Sequence, residues 1–591
     1  MTRNEVDDGY SDAAAAPAGG RWPVRVWPGL LIVAAMPVVM FVPGFIAPRT
    51  MFHFFAWFLA PVVGTVAAVG WWTFGSRVRG PFRWLAPALL LIPPMALGAT
   101  LYHGREMALA LYALPVVLTA WVLWVAATVP LPGAVRKVGL VAVILGGWAL
   151  AGALRFDGAD ADLVPHFTWR WQQTDEQRFL AERAAPAPDA VKDARPVVVA
   201  PGDWPGFRGL DRDGRRAGTA IDTDWAKNPP KLLWKHRVGP GWGSFAVAGD
   251  RAFTQEQHAA EEAVVCYAAD TGAEVWAHHA ASRFDEAIGG AGPRATPTLH
   301  DGRLYAQGAT GKLVCLDAAT GKPHWTADVT AGTGGVVPQW GYSASPLVTA
   351  GMVIVYAGGP NGKGTVAYRA DTGELAWAAG NAKHGYSSAH PATLGGVPQV
   401  LMVSDYGVEA FAPTDGRLLW EHVWNIKGMN RVTQPAILGD TDVVFGTGVG
   451  GEQGTRRLRV TKGESNAWDV NVLWTSKAAK PYFNDGVVVG KYLYGFDDSR
   501  FCCIDLETGR EAWKEGQYGH GQVLLLADQN VLLVQAVDGR VVLVEANPAE
   551  HNELAKFPAL TGKTWNHPVV AGGRLYVRNG QEAACYELKG K

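Results

Sequence analysis

The chain has 591 residues, too many for one compact core, so at least two structural units are required. Its 53 Lys and Arg against 54 Asp and Glu leave a formal net charge of -1, too little field to recruit DNA or RNA, and no nucleic-acid partner is expected. The five cysteines, Cys266, Cys315, Cys502, Cys503 and Cys585, form no C-x-x-C or C-x-x-C-H pattern, so thiolate metal centres and c-type haem attachment lose their usual support.

Residues 1–25 read as a polar N-terminal tail carrying Arg3, Arg21 and Arg25. Residues 26–155 are dominated by long apolar runs and read as a transmembrane helical domain. Stretches of spanning length run from Trp27 to Ala47, Met51 to Trp72, Trp84 to Thr100, Met107 to Val129 and Val138 to Leu154. The count is five, or four if the third, broken by Pro87, Pro93 and Pro94, does not span. Arg77, Arg79 and Arg83 separate spans two and three, and Arg136 and Lys137 separate four and five. Positive charge marks these loops and the tail as cytoplasmic, which places everything after Leu154 on the periplasmic or extracytoplasmic side of an inner membrane. The first span lacks a following small-residue cleavage site and reads as retained. Within the bundle, His53, His103, Arg105 and Glu106 sit near span ends as interfacial side chains, so the bundle reads as an anchor.

Residues 156–203 form a linker, with a short helix over 167–180 and Pro186, Pro188 and Pro196 beyond it. Residues 204–591 then repeat. Gly272, Gly321, Gly373, Gly416 and Gly509 are each followed four residues later by a tryptophan: Trp276, Trp325, Trp377, Trp420 and Trp513. A Thr-Gly or Asp-Gly turn supplies the positive φ of a tight hairpin, and the tryptophan lands on a fixed face of the next strand, where it can dock one sheet on its neighbour. With Trp234 and Trp474 the steps are 42, 49, 52, 43, 54 and 39 residues, the length of a four-stranded blade. An inner hairpin recurs eight times, from Gly249-Asp250 to Gly572-Gly573, so the fold class is an all-β, eight-bladed β-propeller behind an α-helical membrane domain. The last unit has only three strands, and Leu232 to Val238 completes it, closing the ring. Cys266, Cys315 and Cys503 lie six residues before a turn glycine, a position that wants a small buried side chain, so free thiols are expected; the adjacent Cys502 and Cys503 point to opposite faces of a strand.

In a propeller the loops that lead into the innermost strands open on one face of the axis. In register these loops carry Trp242 and Ser244; Arg294 and Thr296; Trp340, Tyr342 and Ser343; Tyr386, Ser387 and His390; Asn430, Thr433 and Gln434; Tyr482 and Asn484; His520 and Gln522; and Trp565, Asn566 and His567. Such side chains either line a depression for a small molecule or protein segment or pair between blades and close the channel. His258 beside Glu256, Glu261 and Glu262, and the pair His278 and His279, have no metal-ligand spacing and read as surface groups; Asp211 to Gly214 reads as a solvated turn. No metal site is assigned, and no nucleophile elbow, phosphate loop or dinucleotide fingerprint is present.

The five turn-tryptophan units, for example Leu316 through Trp325, and the opening Asp203 through Gly209 with Arg212 through Gly214, resemble the pyrroloquinoline-quinone-like (PQQ-like) repeat family over the last two-thirds of the chain. That family includes quinoprotein dehydrogenases and the propeller subunit (BamB) of the outer-membrane protein assembly machinery. A five-span anchor ahead of the propeller is similar in order to membrane-bound quinoprotein glucose dehydrogenases. The resemblance implies either a binding or scaffold module, with Trp340, Tyr386, Asn430, His520 and Trp565 as its contacts, or a dehydrogenase using pyrroloquinoline quinone and calcium that passes electrons to membrane quinone. In the second case Arg294, Trp340 or Trp565 would meet the cofactor. No catalytic residue is assigned, and the first alternative is preferred.

Overall fold

A computed structural model describes residues 24–46, 51–159, 164–183, 195–426, 431–448, 454–464 and 467–590. Contacts divide the chain into two compact units, Met1–Asp157 with Pro165–Gln172, and Gly158–Val164 with Gln173–Lys591.

Among the described residues of the first unit, five helices are long and apolar enough to cross a membrane: Trp27–Ile46, Phe55–Gly75, Phe82–Leu101, Glu106–Ala127 and Gly133–Ala153. The third stays helical through Pro87, Pro93 and Pro94, which settles the helix count at five. Two of the helices contain a wide π turn, Trp71–Gly75 and Leu109–Ala113. The bundle interior is apolar, with Trp72 and Trp121 fully buried and edge-on at 5.0 Å. Arg136, one of the loop cations by sequence, is buried at the start of the last helix, where its guanidinium donates to the Val125 carbonyl at 3.0 Å. That carbonyl lies in the last turn of the preceding helix, where a cation is electrostatically welcome.

The second unit is a closed ring of eight antiparallel sheets. Blades 1 to 7 cover residues 246–281, 298–328, 347–379, 390–423, 436–476, 487–517 and 522–558. Blade 8 joins three C-terminal strands, residues 569–587, to Lys231–Arg237 from the start of the unit, so the ends of the ring are fastened by a full ladder of backbone pairing. Each inner hairpin turns through residues of positive φ, including the non-glycine Ala350 at +51° and Asn530 at +50°.

The repeated glycine and tryptophan meet across blade boundaries. A Cβ placed on Gly272, Gly321, Gly373, Gly416 or Gly509 would come within 2.5 to 2.8 Å of the indole of Trp234, Trp276, Trp325, Trp377 or Trp474, each on the preceding blade. In the same five pairs the indole nitrogen donates to a backbone carbonyl of the next blade, at Ala269, Ala318, Ala370, Pro413 and Leu506. The residue directly across the ladder from the tryptophan is small in most blades, Cys266, Cys315, Ala367, Ala410, Cys503 or Cys585, which leaves room for the ring. All five cysteines are free and buried. Trp420 differs: blade 5 has a long outer hairpin in place of a Thr-Gly turn, and the indole donates to Gln399 of its own blade at 2.5 Å.

The helix expected over 167–180 forms later, at Asp175–Arg183, while Pro165–Trp169 is a strand. Thr174 and Gln177 form a reciprocal capping pair that starts the helix, each side chain taking the other's backbone N–H. The helix rests on blade 1 through Phe179 against His258 at 5.1 Å and through Glu176 paired with Arg283 at 2.8 Å. Glu256, His258 and Glu262 are buried, contrary to the surface placement read from sequence, because the strand Arg251–His258 is covered along both faces and Glu262, on the next strand, accepts from the Ala309 amide of blade 2. Glu256 accepts from Tyr267, His258 and the Gly239 amide. Burial opposes its ionisation, but His258, Arg578 and Tyr267 outweigh it and hold the carboxyl at about 2.

Trp325→Ala should remove about 3–5 kcal/mol of propeller stability, as large-to-small core changes do, measured by denaturant unfolding of the full chain. Gly373→Ala should also destabilise, because φ is +75° and the new methyl would meet the Trp325 ring at 2.6 Å. Unchanged stability in both variants would refute the docking role.

Candidate functional site

The axial channel is stopped at one end by the chain segment that precedes blade 8's outer strand. Trp204 pairs with Val247 of blade 1, the Pro205 carbonyl accepts from Leu299 of blade 2, and Arg215–Arg216 adds a parallel fifth strand to blade 7. Two arginines of this segment are buried. Arg212 donates to the carbonyls of Ser345, Pro346 and Ala389 at the start of blades 3 and 4. Arg208 donates to Gly486 and lies 3.4 Å from Asp485 of blade 6. The turn Asp211 to Gly214, read as solvated from sequence, is therefore the tip of a plug. Its buried arginines satisfy carbonyls that a closed ring leaves facing the axis.

At the other end the loops leading into the innermost strands surround a cavity of about 190 Å³. Trp242 and Trp565 pack at 4.9 Å, Phe483 and Trp565 at 5.1 Å, and Trp340 and Tyr386 at 5.3 Å, giving the cavity an aromatic wall. Phe207 of the plug reaches its floor and meets His567 edge-on at 5.0 Å. Of the residues selected by register, Trp242, Arg294, Trp340, Tyr386, Gln434 and Trp565 line this space, together with Ser244, Thr296, Ser343, Tyr482, Gln522 and His567. Tyr342, His390, Asn484, His520 and Asn566 are placed elsewhere. Tyr342 is buried with its hydroxyl on the Ala357 carbonyl, and His390 lies beside Arg212. Asn484 donates to Gly521, Asn566 to Gly243, and His520 packs between Tyr482 and Phe483. These five join blades, because a residue one or two positions along the loop turns from the axis to the neighbouring sheet. Asn430 lies outside the described residues.

Phe207, Glu286, Ile288, Phe483 and Asp485 also line the cavity and were not singled out from sequence. Phe483 and Asp485 flank Asn484 in the same loop, so the register was close; Phe207 and the Glu286 hairpin lie outside the inner-strand loops and had no register to give them away.

Charge in the cavity is already paired. Arg294 donates to the carbonyls of Trp340, Gly290 and Gly292 and lies 3.3 Å from Glu286. On the floor, Asp485 accepts from the Gln434 amide at 2.6 Å and sits 3.4 Å from both Arg208 and His567. Burial works against the Asp485 carboxylate, yet Arg208 and His567 outweigh it and hold its pKa below the ordinary range. Burial pushes His567 down as well, with Asp485 opposing. The indole nitrogen of Trp565 is buried without a hydrogen-bond partner.

Residues 260–515 match the family model described as outer membrane protein assembly factor BamB. The propeller of the second unit is similar to this family over those residues. Among curated proteins, quinoprotein alcohol dehydrogenase PedH of Pseudomonas putida is 27% identical over 203 residues, 32% of this chain and only 30% of that protein's length. Among solved structures, BamB from Moraxella catarrhalis is 14% identical with a TM-score of 0.43, covering 61% of this chain and 100% of that one. Quinohemoprotein alcohol dehydrogenase from Comamonas testosteroni is 15% identical with a TM-score of 0.47, covering 71% and 84%. Likeness at these identities is one of fold.

Asp485→Asn should leave Arg208 buried without its counter-charge and cost about 3–5 kcal/mol of propeller stability at neutral pH. A carboxyl whose pKa is depressed by folding stabilises above its unfolded value, about 3.9 for Asp, and loses that contribution as the pH falls through the folded one. The gap between wild type and variant should therefore close on acidification below that value, and a gap independent of pH would contradict the ion pair.

Proposed function

We propose that this protein is a membrane-anchored binding module, its propeller held on the periplasmic or extracytoplasmic side of the inner membrane, that captures a protein segment through the open end of the propeller axis. The observation that carries this reading is the blind, aromatic-walled cavity. At about 190 Å³ it is smaller than the roughly 300–1,000 Å³ of small-molecule pockets, and it suits one bulky apolar or aromatic side chain of a partner. An anchor side chain buried in such a pocket is the usual energetic centre of a protein–protein contact. The unpartnered Trp565 indole N–H supplies a donor for the partner's backbone or side-chain oxygen. Basic loops at alternate span ends support the orientation.

A second reading, a dehydrogenase using pyrroloquinoline quinone and calcium, is favoured by the similarity to the Pseudomonas putida alcohol dehydrogenase. The residues fit it poorly. Calcium takes 6–8 oxygen ligands as a rule, and among the described residues no group of three or more His, Cys, Asp or Glu side chains could hold a metal ion. The quinone is a tricarboxylate, whereas Arg294 is already committed to Glu286 and to backbone carbonyls, and Asp485 adds negative charge to the floor.

Truncating a buried anchor contact costs about 2 kcal/mol or more, so Trp242→Ala combined with Trp565→Ala should cut recovery of the partner from native membranes by more than about tenfold while the propeller still unfolds cooperatively. Recovery equal to wild type would refute the axial site. Saturable binding of micromolar quinone with calcium, accompanied by dye reduction with an alcohol or sugar, would replace this reading with the second. Protease added outside spheroplasts should digest the propeller; protection would refute the orientation.

A further inference from the structure

A larger cavity, about 480 Å³, lies between blades 5 and 6 and opens beside the plug. The apolar core shared by blades 4 and 5 and that shared by blades 6 and 7 are separate clusters among the described residues, with the small cluster of Ala479, Cys502 and Ile504 between them. The gap does not come from splayed blades. At the rim of the ring Trp474 still donates to the Leu506 carbonyl at 2.9 Å, and Gly509 still sits on the Trp474 ring. Gly446, Gly486 and Gly495 line the cavity, and a Cβ on any of them would already meet neighbouring atoms at 2.8 to 3.2 Å. One stretch of the wall is apolar, with Ile437, Phe445, Leu493, Phe496, Cys502 and Ile504, and Thr393, Thr433, Gln434 and Thr455 add polar groups beside it. Protein interiors are close-packed, so a cavity of this size between sheets has room for an occupant.

The inner end of the cavity carries unmet polar atoms. The Asn484 side-chain oxygen, the His390 Nδ1 and the Arg208 Nη1 are buried and lack hydrogen-bond partners, and all three residues line the cavity. Asn484 is 0% exposed, His390 3% and Arg208 5%. Unmet buried groups of this kind cost about 1–3 kcal/mol each. Their chemistry specifies the head group. Asn484 needs a donor, the His390 Nδ1 takes a donor or an acceptor according to its tautomer, and a hydroxyl offers both, while the Arg208 Nη1 already faces Asp485 at 3.4 Å. A carboxylate could not donate to Asn484 and would face Asp211 and Asp213 at the mouth; an ammonium would be repelled by Arg208 and Arg215. Arg208 is in addition neutralised by Asp485, so the site has no net charge to satisfy.

We propose that the cavity between blades 5 and 6 is a second binding site, separate from the axial one, for an uncharged small molecule with a hydroxyl head and a compact hydrocarbon body. The head sits among Arg208, His390 and Asn484, and the body lies along Phe445, Leu493 and Phe496. Its volume exceeds about 150 Å³, which suffices for a dry apolar cavity to take up benzene. The site shares Gln434 with the axial cavity, and Arg208 pairs with Asp485 on the axial floor.

Cys502 in the wall provides the readout. Cyclohexanol added to the full chain in detergent should slow modification of Cys502 by methyl methanethiosulfonate saturably, by about tenfold or more at site-filling concentrations. Cys585, buried in the core of blades 7, 8 and 1, should be unaffected. Cyclohexanecarboxylate and cyclohexylammonium should not protect. The same alcohol should raise the unfolding midpoint of the propeller, which reads the site even if the thiol proves inert. Val488→Phe, or Ala436→Phe if the first variant fails to fold, fills the cavity and should abolish both effects. No protection and no midpoint shift would mean that water alone occupies the cavity and would overturn the proposal. Equal protection by the charged analogues, or protection that survives the filled cavity, would overturn it too.

Discussion

The contact on which the propeller depends is a tryptophan of one blade laid on a side-chain-free glycine of the next. Each element needs the other: the glycine takes the positive φ of the turn, and its missing Cβ is the space the indole occupies. The indole nitrogen then donates to a carbonyl of the same neighbouring turn, so the large ring is buried without an unmet polar atom. Repeated around the ring and closed by the ladder between Lys231–Arg237 and the C-terminal strands, the contact leaves no open sheet edge in the circuit of blades. It fixes the spacing of blades at their periphery and leaves their inner ends free to vary.

That freedom is used at both candidate sites. Along the axis, the segment 204–214 converts a channel into a blind cavity. Its arginines satisfy inner-strand carbonyls, and its Phe207 forms part of the cavity floor. Between blades 5 and 6, a cavity opens inward of the outer contact that Trp474 holds. Arg208 links the two places, because the guanidinium that lines the second cavity is the counter-charge of the carboxylate beneath the first.

The repeat was legible in the residues because it is local. A turn glycine, a strand and a tryptophan lie within five residues, and their periodicity reports the blade, the hairpins and the closing strand. The site was legible in part. Register selects the loops that surround the axis, and Trp242, Arg294, Trp340, Tyr386, Gln434 and Trp565 do line the cavity. Tyr342, His390, Asn484, His520 and Asn566 come from the same loops but turn toward adjoining sheets. A two-residue period distinguishes the faces of a strand, and it carries no information about a loop, where one residue of slip exchanges axis for interface. Long-range placement was beyond reach altogether. Arg208 and Arg212 look like ordinary turn residues until the ring is closed around them, and Glu256 and His258 look solvated until the helix Asp175–Arg183 covers their strand.

The central claim is that the open end of the axis is where a partner is held. A structure of the full chain with its co-purified partner, determined in native-like membrane discs, tests it most directly. The account predicts a partner side chain seated between Trp242, Trp340 and Trp565, with the plug still in place at the opposite end. A partner bound on the outer strands or over the plug, with the aromatic cavity empty, would contradict it.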